Sequence, residues 1–167
     1  MKEIEVKVIE IDKREMTGKL RVMGARKVFE GKIYTVFFGN AILKKKNYSL
    51  RLRKKRNKSY LAIKRFISNR DAKVVDETEL EVADFEKMKN ILLLLDFRII
   101  KTLSKSRTSY KIGKTLFEID KYKKIPAFME IESPDIKSIK KYAKMLKIKN
   151  SKIKTWGTTK LLKHYLK

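Results

Sequence analysis

The sequence predicts an α+β fold built on an antiparallel sheet of about eight strands, with helices on the apolar side of the sheet. Three observations predict it. Charged and apolar residues alternate with a period of two through segment after segment. Most of these segments are joined by connections too short for a parallel crossover. Between some of them lie apolar stripes at helical spacing.

Taken in order, Glu3 to Glu10 reads Glu-Ile-Glu-Val-Lys-Val-Ile-Glu, a strand with one charged face. Asp12 to Met23 follows as a helix. Ile33 to Phe38 is β-branched and aromatic. Ser49 to Arg53 alternates as Ser-Leu-Arg-Leu-Arg, and Tyr60 to Phe66 carries Leu61, Ile63 and Lys64, with a turn expected at Asn57 to Ser59. Lys73 to Val82 places Glu77, Glu79 and Glu81 at alternate positions. Asp84 is a capping residue for a helix whose stripe is Phe85, Met88, Ile91, Leu92 and Leu95, predicted to pack on the sheet. Arg98 to Ile112 is one long strand or two joined by a kink, and Gly113-Lys114 is a turn. Leu116 to Asp120 and Phe128 to Glu132 complete the strands. Pro134-Asp135 opens a helix with Ile136, Ile139, Tyr142, Ala143 and Leu146 on one side, and Thr158 to Leu166 forms a last short helix.

Composition sets outer bounds. At 167 residues and 43% apolar content the chain suits one domain with a core, and no Gly/Ser/Pro linker divides it. The expected organisation is a single domain over 1–167. Lysine and arginine number 44 against 19 acidic residues, a net charge of +25 that attracts polyanions. A Lys- and Ile-rich background accounts for much of this excess, so charge alone does not choose the partner. Absence of cysteine excludes disulfides and thiolate metal sites. The longest apolar run, Ile91 to Leu95, falls far short of the ~18 residues of a membrane span. The expected location is the cytoplasm, with no membrane partner.

The informative feature is what alternates with the apolar residues. Side chains at i and i+2 of a strand share a face, ~6.6 Å apart. Glu3, Glu5 and Lys7 therefore line up, as do Arg51 with Arg53, Glu79 with Glu81, Lys105 with Arg107, Glu118 with Asp120, and Glu130 with Glu132. Any one pair is explained by a solvated sheet face. Same-sign pairs on several strands are unfavourable unless opposite charge lies between them. A sheet curled into a barrel would set acidic pairs against basic pairs inside. Such a lumen suits a phosphate chain, contacted by Lys and Arg, with a hard cation between phosphate and carboxylates.

In this order, Glu3-Ile-Glu5-Val-Lys7, Leu50-Arg51-Leu52-Arg53, Lys64, Glu79-Leu-Glu81, Lys105-Ser-Arg107, Asp120 and Phe128-Met-Glu130-Ile-Glu132 resemble the CYTH family, the triphosphate tunnel metalloenzymes. The resemblance covers roughly the whole chain. It implies a closed tunnel of eight antiparallel strands, a triphosphate-bearing small molecule as partner, and Mg²⁺ or Mn²⁺ as cofactor. Glu3, Glu5, Glu130 and Glu132 are then metal-side carboxylates, supported by Asp120 and Glu81. Lys7, Arg51, Arg53, Lys64, Lys105 and Arg107 are phosphate ligands. Lys7 is also the candidate catalytic residue that orients or activates the attacking water, a role resting on a pKa lowered by surrounding cations. The family pattern is broken at Gly157-Thr158, which leaves open whether the C-terminal helix closes over substrate. Trp156 is expected to pack and His164 to be exposed.

Three functions compete. The first is metal-dependent hydrolysis of tripolyphosphate, thiamine triphosphate or a nucleoside triphosphate. The second is a class IV-type adenylyl cyclase releasing pyrophosphate from ATP. The third is a non-catalytic binder of polyphosphate or an RNA 5′ end. The intact Glu130-x-Glu132 pair favours hydrolysis. Intact acidic pairs rank the binder last, and nucleic acid is not the favoured partner. The state is monomer or homodimer.

Overall fold

The alternation of charge and apolarity is realised as a barrel turned inside out. A computed structural model describes residues 2–166. Eight strands form it: β1 (Lys2–Val8), β2 (Arg26–Gly39), β3 (Tyr48–Lys55), β4 (Lys58–Ser68), β5 (Lys73–Val82), β6 (Arg98–Ile112), β7 (Thr115–Lys121) and β8 (Phe128–Ser133). The hydrogen-bonded order is β5-β4-β3-β2-β6-β7-β8-β1, and β1 pairs back onto β5, all antiparallel. The β1–β5 pairing joins the two outer strands of the row and so closes it. A two-residue strand, β9 (Ile153–Lys154), pairs with Lys7 and Val8 at the end of β1.

Five helices surround the barrel: α1 (Lys13–Val22), α2 (Ala41–Lys45), α3 (Phe85–Leu94), α4 (Ile136–Met145) and α5 (Thr158–Tyr165). Asp12, Asp84 and Asp135 cap α1, α3 and α4 by accepting from the backbone N–H three residues on. These helices end on a residue in the left-handed region: Gly24 (φ 76°), Asp96 (φ 61°) and Lys147 (φ 55°). The outward strand residues Val6, Val8, Phe117, Ile119, Met129 and Ile131 pack against Met16 and Leu20 of α1 and Ile139 of α4. On the other side Val36, Phe38, Leu50 and Leu52 meet Leu43, Phe85 and Leu92. At one end Ile9, Tyr122, Ile125 and Phe128 enclose Leu161 of α5. Each such fully buried side chain contributes about 1.5–3 kcal/mol.

Arg98–Ile112 is one continuous strand, the first of the two forms expected for it. Other elements differ from the pattern expected. β2 begins seven residues early by pairing its polar first half, Arg26 to Lys32, with β6 alone. The α3 stripe is only partly covered. Phe85 and Leu92 are buried, whereas Ile91 and Leu95 are 48% and 61% exposed. The line Phe85, Met88, Leu92 faces the sheet. Ile91 lies about 100° around the helix from it, and Leu95 is already the C-cap. α2 and β9 were too short to give a periodic signal. No helix among the described residues is long and apolar enough to cross a membrane.

Candidate functional site in the barrel lumen

The inward residues converge on a cavity of about 200 Å³. Its wall holds seven cations and seven carboxylates, with only Leu116 and Thr158 besides. β2 contributes no charge. It turns Gly31, Ile33, Thr35 and Phe37 inward, opposite the long cations of β3 and β6. On β4, Ala62 stands between Arg51 of β3 and Glu79 of β5. That short side chain leaves room for Arg51 to reach Glu77 (2.9 Å) and Arg53 to reach Glu79 across the intervening strand.

Two charged layers result. In the first, the β1–β8 register sets Lys7 opposite Glu130 and Glu5 opposite Glu132. Lys7, only 1% exposed, is held by Glu5 (2.9 Å) and Glu130 (2.6 Å). Arg107 donates to both oxygens of Asp120 (2.6 and 2.5 Å), to Glu130 (2.7 Å) and to Glu118. Lys105 joins Asp120 at 2.6 Å. In the second layer, Lys64 bridges Glu77 (2.7 Å) and Glu3, and Lys73 reaches Glu5 (2.9 Å). Two donors in the wall are left over: the Nε groups of Arg51 and Arg53 are buried and have no acceptor among the described residues.

Carboxylate oxygens of Glu3, Glu5 and Glu132 lie within 4.8 Å of one another. Burial, a hydrogen bond with Glu77 and the neighbouring carboxylates push Glu3 up to about 8. Burial and Glu118 push Glu132 up to about 7. Burial also acts to raise Glu5, but the Lys7, Lys73 and Lys64 ammoniums overcome it and hold Glu5 at about 2. Two of the three therefore retain protons near neutrality. A site of oxygen donors crowded in this way suits a hard divalent cation, which would replace those protons. The donor set thus fits Mg²⁺ or Mn²⁺.

The lumen gathers Glu3, Glu5, Glu130 and Glu132 with Arg51, Arg53, Lys64, Lys105 and Arg107. Asp120 is fully buried behind Arg107 and Lys105. Glu81 is not brought in. It lies opposite Tyr60 beyond the charged layers, half-exposed and paired with Lys58. Its place on that strand is taken by Glu77 and Glu79. Lys7 does not have the surroundings expected of it. Burial works to lower its pKa, yet Glu130 and Glu5 outweigh burial and keep the ammonium well above the ordinary lysine range. The lysines that are lowered are Lys55, brought down to about 8 by burial and Arg53, Lys105, by burial and Arg107, and Lys101, by burial. Lys55, Lys73, Glu77 and Glu118 line the cavity without having been singled out as ligands. Lys55 continues the Arg51-x-Arg53 alternation by one step and was legible; Lys73 was not.

The chain matches the CYTH domain over residues 1–159. It is 28% identical over 136 residues to a Methanocaldococcus jannaschii protein named a putative adenylate cyclase, covering 79% of this chain and 77% of that one. Among solved structures, the PH1012 protein of Pyrococcus horikoshii superposes with a TM-score of 0.83 at 25% identity, covering 95% of this chain and 98% of its own. A Hippeastrum protein, named a putative adenylyl cyclase with a dominant triphosphatase activity, superposes at 0.66 and 16% identity over 96% and 92% of the two chains, a likeness of fold.

Proposed function

The chain belongs to the CYTH family, and from that premise we propose that it hydrolyses a triphosphate inside the lumen with Mg²⁺ or Mn²⁺, acting as one tunnel domain. The observation that carries this is the charge balance of the wall, seven cations against seven carboxylates. A binder of anions alone would present surplus cations. With Glu3 and Glu132 holding protons, the wall's seven cations face five ionised carboxylates, which offsets only part of the about four negative charges of a triphosphate, so a divalent cation accompanies it. When bound at Glu3, Glu5 and Glu132, the metal supplies charge neutralisation on phosphoryl oxygens and orients them.

The protein's own residues do the rest. Arg51 and Arg53 hold unpartnered Nε donors ready for non-bridging oxygens. Arg107 and Lys105, anchored on Asp120, line the cavity as fixed cations. Lys7 stays charged between Glu5 and Glu130, so its part is to hold those carboxylates in place and orient a water, not to take its proton. A second reading, adenylyl cyclase, rests on the name of the M. jannaschii relative.

Incubation with tripolyphosphate, ATP and thiamine triphosphate in Mg²⁺ or Mn²⁺, with products resolved, separates them. Orthophosphate without cyclic nucleotide is expected. Cyclic AMP with pyrophosphate would establish the cyclase instead, and no turnover of any triphosphate would refute catalysis.

A further inference from the structure

The outer surface of the barrel is apolar at one corner. α3 runs out in Ile91-Leu92-Leu93-Leu94-Leu95, and of these only Leu92 is buried. Leu94 is 84% exposed. Lys87, Ile91 and Leu94 follow one another at i, i+4 and i+7, on the side of the helix turned away from Phe85 and Leu92. Ile99, near the start of β6, is exposed and shares a surface cavity with Leu93. α2 adjoins the same corner. Gly39 pairs with Arg98, so α2, which opens two residues after Gly39, stands beside the chain that leaves α3. Leu43 of α2 and Leu92 of α3 are buried in one cluster, and Ile42 stays exposed.

Cations border these aliphatic side chains. Lys44, Lys45 and Lys46 close α2, Lys87 lies on the outer side of α3, and Arg98 opens β6. All five are exposed, and none is in an ion pair among the described residues. Asp96 is the one carboxylate in the stretches 40–46 and 87–101. A second copy docked here would set these free cations against their own kind. A nucleic acid strand gains from aromatic faces, and the exposed apolar residues at this corner are aliphatic. Protruding aliphatic side chains beside lysines suit a fluid anionic surface, which needs no matching shape: the acyl boundary takes the former and the headgroups the latter. We propose that this corner docks the protein on an anionic lipid bilayer, with Ile42, Ile91, Leu94 and Leu95 at the headgroup–acyl boundary and Lys44, Lys45, Lys46 and Lys87 on lipid phosphates. The expectation of no membrane partner rests on the lack of a spanning run, which does not bear on a chain that lies on the surface.

The test is sedimentation of the full chain with vesicles of phosphatidylcholine alone, or with about 30% phosphatidylglycerol, at about 0.15 M salt. Binding to the anionic vesicles and not to the neutral ones is expected. Leu94→Ser/Leu95→Ser, which keeps the charge, should weaken it roughly 10-fold. Lys44→Gln/Lys45→Gln/Lys46→Gln should weaken it by about 10-fold or more. Lys137→Gln/Lys140→Gln/Lys144→Gln removes the same charge from the exposed side of α4 and should leave it within about 2-fold. Every one of these side chains is exposed, so an unchanged Tm verifies the fold of each variant. An equal loss from the α4 substitutions would show that net charge alone binds and would overturn the proposal. So would equal binding to neutral vesicles, no binding to either, or a lipid-free dimer abolished by Leu94→Ser/Leu95→Ser, which would give the face to a second copy.

Discussion

Arg107 is 5% exposed and contacts three carboxylates from β7 and β8. Burial opposes its charge, but Asp120, Glu118 and Glu130 raise its pKa further above the ordinary range. Removing it strands those carboxylates inside the barrel. Arg107→Ala is expected to cost about 3–5 kcal/mol in urea unfolding, and Arg107→Lys to recover only part, because an ammonium cannot reproduce the planar fork on Asp120. Within the acidic trio, Glu3 and Glu132 are raised while Glu5 is lowered. Glu3 and Glu132 carry folded pKa values of about 8 and 7 against 4.5 in an unfolded chain. Between those limits the folded state binds more protons, so their contribution to stability is full below about pH 4.5 and is lost as pH rises through 7 to 8. Metal-free protein should therefore lose thermal stability from pH 6 to pH 8, while stabilisation by Mg²⁺ should grow over the same range. A Mg²⁺ effect that shrinks with rising pH would contradict the assignment of these carboxylates. Lys55, lowered to about 8, acts in the other direction only above that window.

At the scale of elements, period-two alternation tells which face a residue takes, and nearly every lumen residue was legible from it. β5 was found to the residue, and the cap Asp84 was legible in the sequence. Alternation does not give register. Glu77, Glu79 and Glu81 share a face, and only the pairing of Lys64 with Glu77 and Tyr60 with Glu81 decides which reach the charged layers. The same limit hid the surroundings of Lys7, whose partner Glu130 arrives from a strand far along the chain. Ala62 shows how register creates function-bearing space. Ala62→Leu should push apart the Arg51–Glu77 and Arg53–Glu79 pairs that cross above it, costing about 1–3 kcal/mol by overpacking and lowering activity more than stability loss alone explains. For α5, the sequence left its role open, and the structure places Thr158 in the wall of the lumen cavity. The anchor is Leu161, fully buried beside Ile9, Tyr122 and Phe128. Leu161→Ala should destabilise by about 2–5 kcal/mol and raise KM for the triphosphate by loosening the wall that Lys101 ties to Thr159.

For the whole molecule, a lumen wall of seven cations and seven carboxylates means that most of the net charge of +25 lies outside it. That outer field should bind nucleic acid without sequence preference, weakening about 10³–10⁵-fold between 50 and 200 mM salt if 6–10 phosphates are contacted. Turnover in the lumen should change far less over the same range, since buried pairs are poorly screened. Parallel loss of both in a salt titration would place the phosphate site on the surface. The central claim is that the balanced lumen accepts a triphosphate only together with a divalent cation, and thermal unfolding with excess tripolyphosphate tests it most directly. With Mg²⁺ or Mn²⁺ the Tm should rise by roughly 5 °C or more, with little change in EDTA, and Glu3→Gln/Glu132→Gln should abolish the difference. An equal rise in EDTA, or no rise with metal, would contradict it.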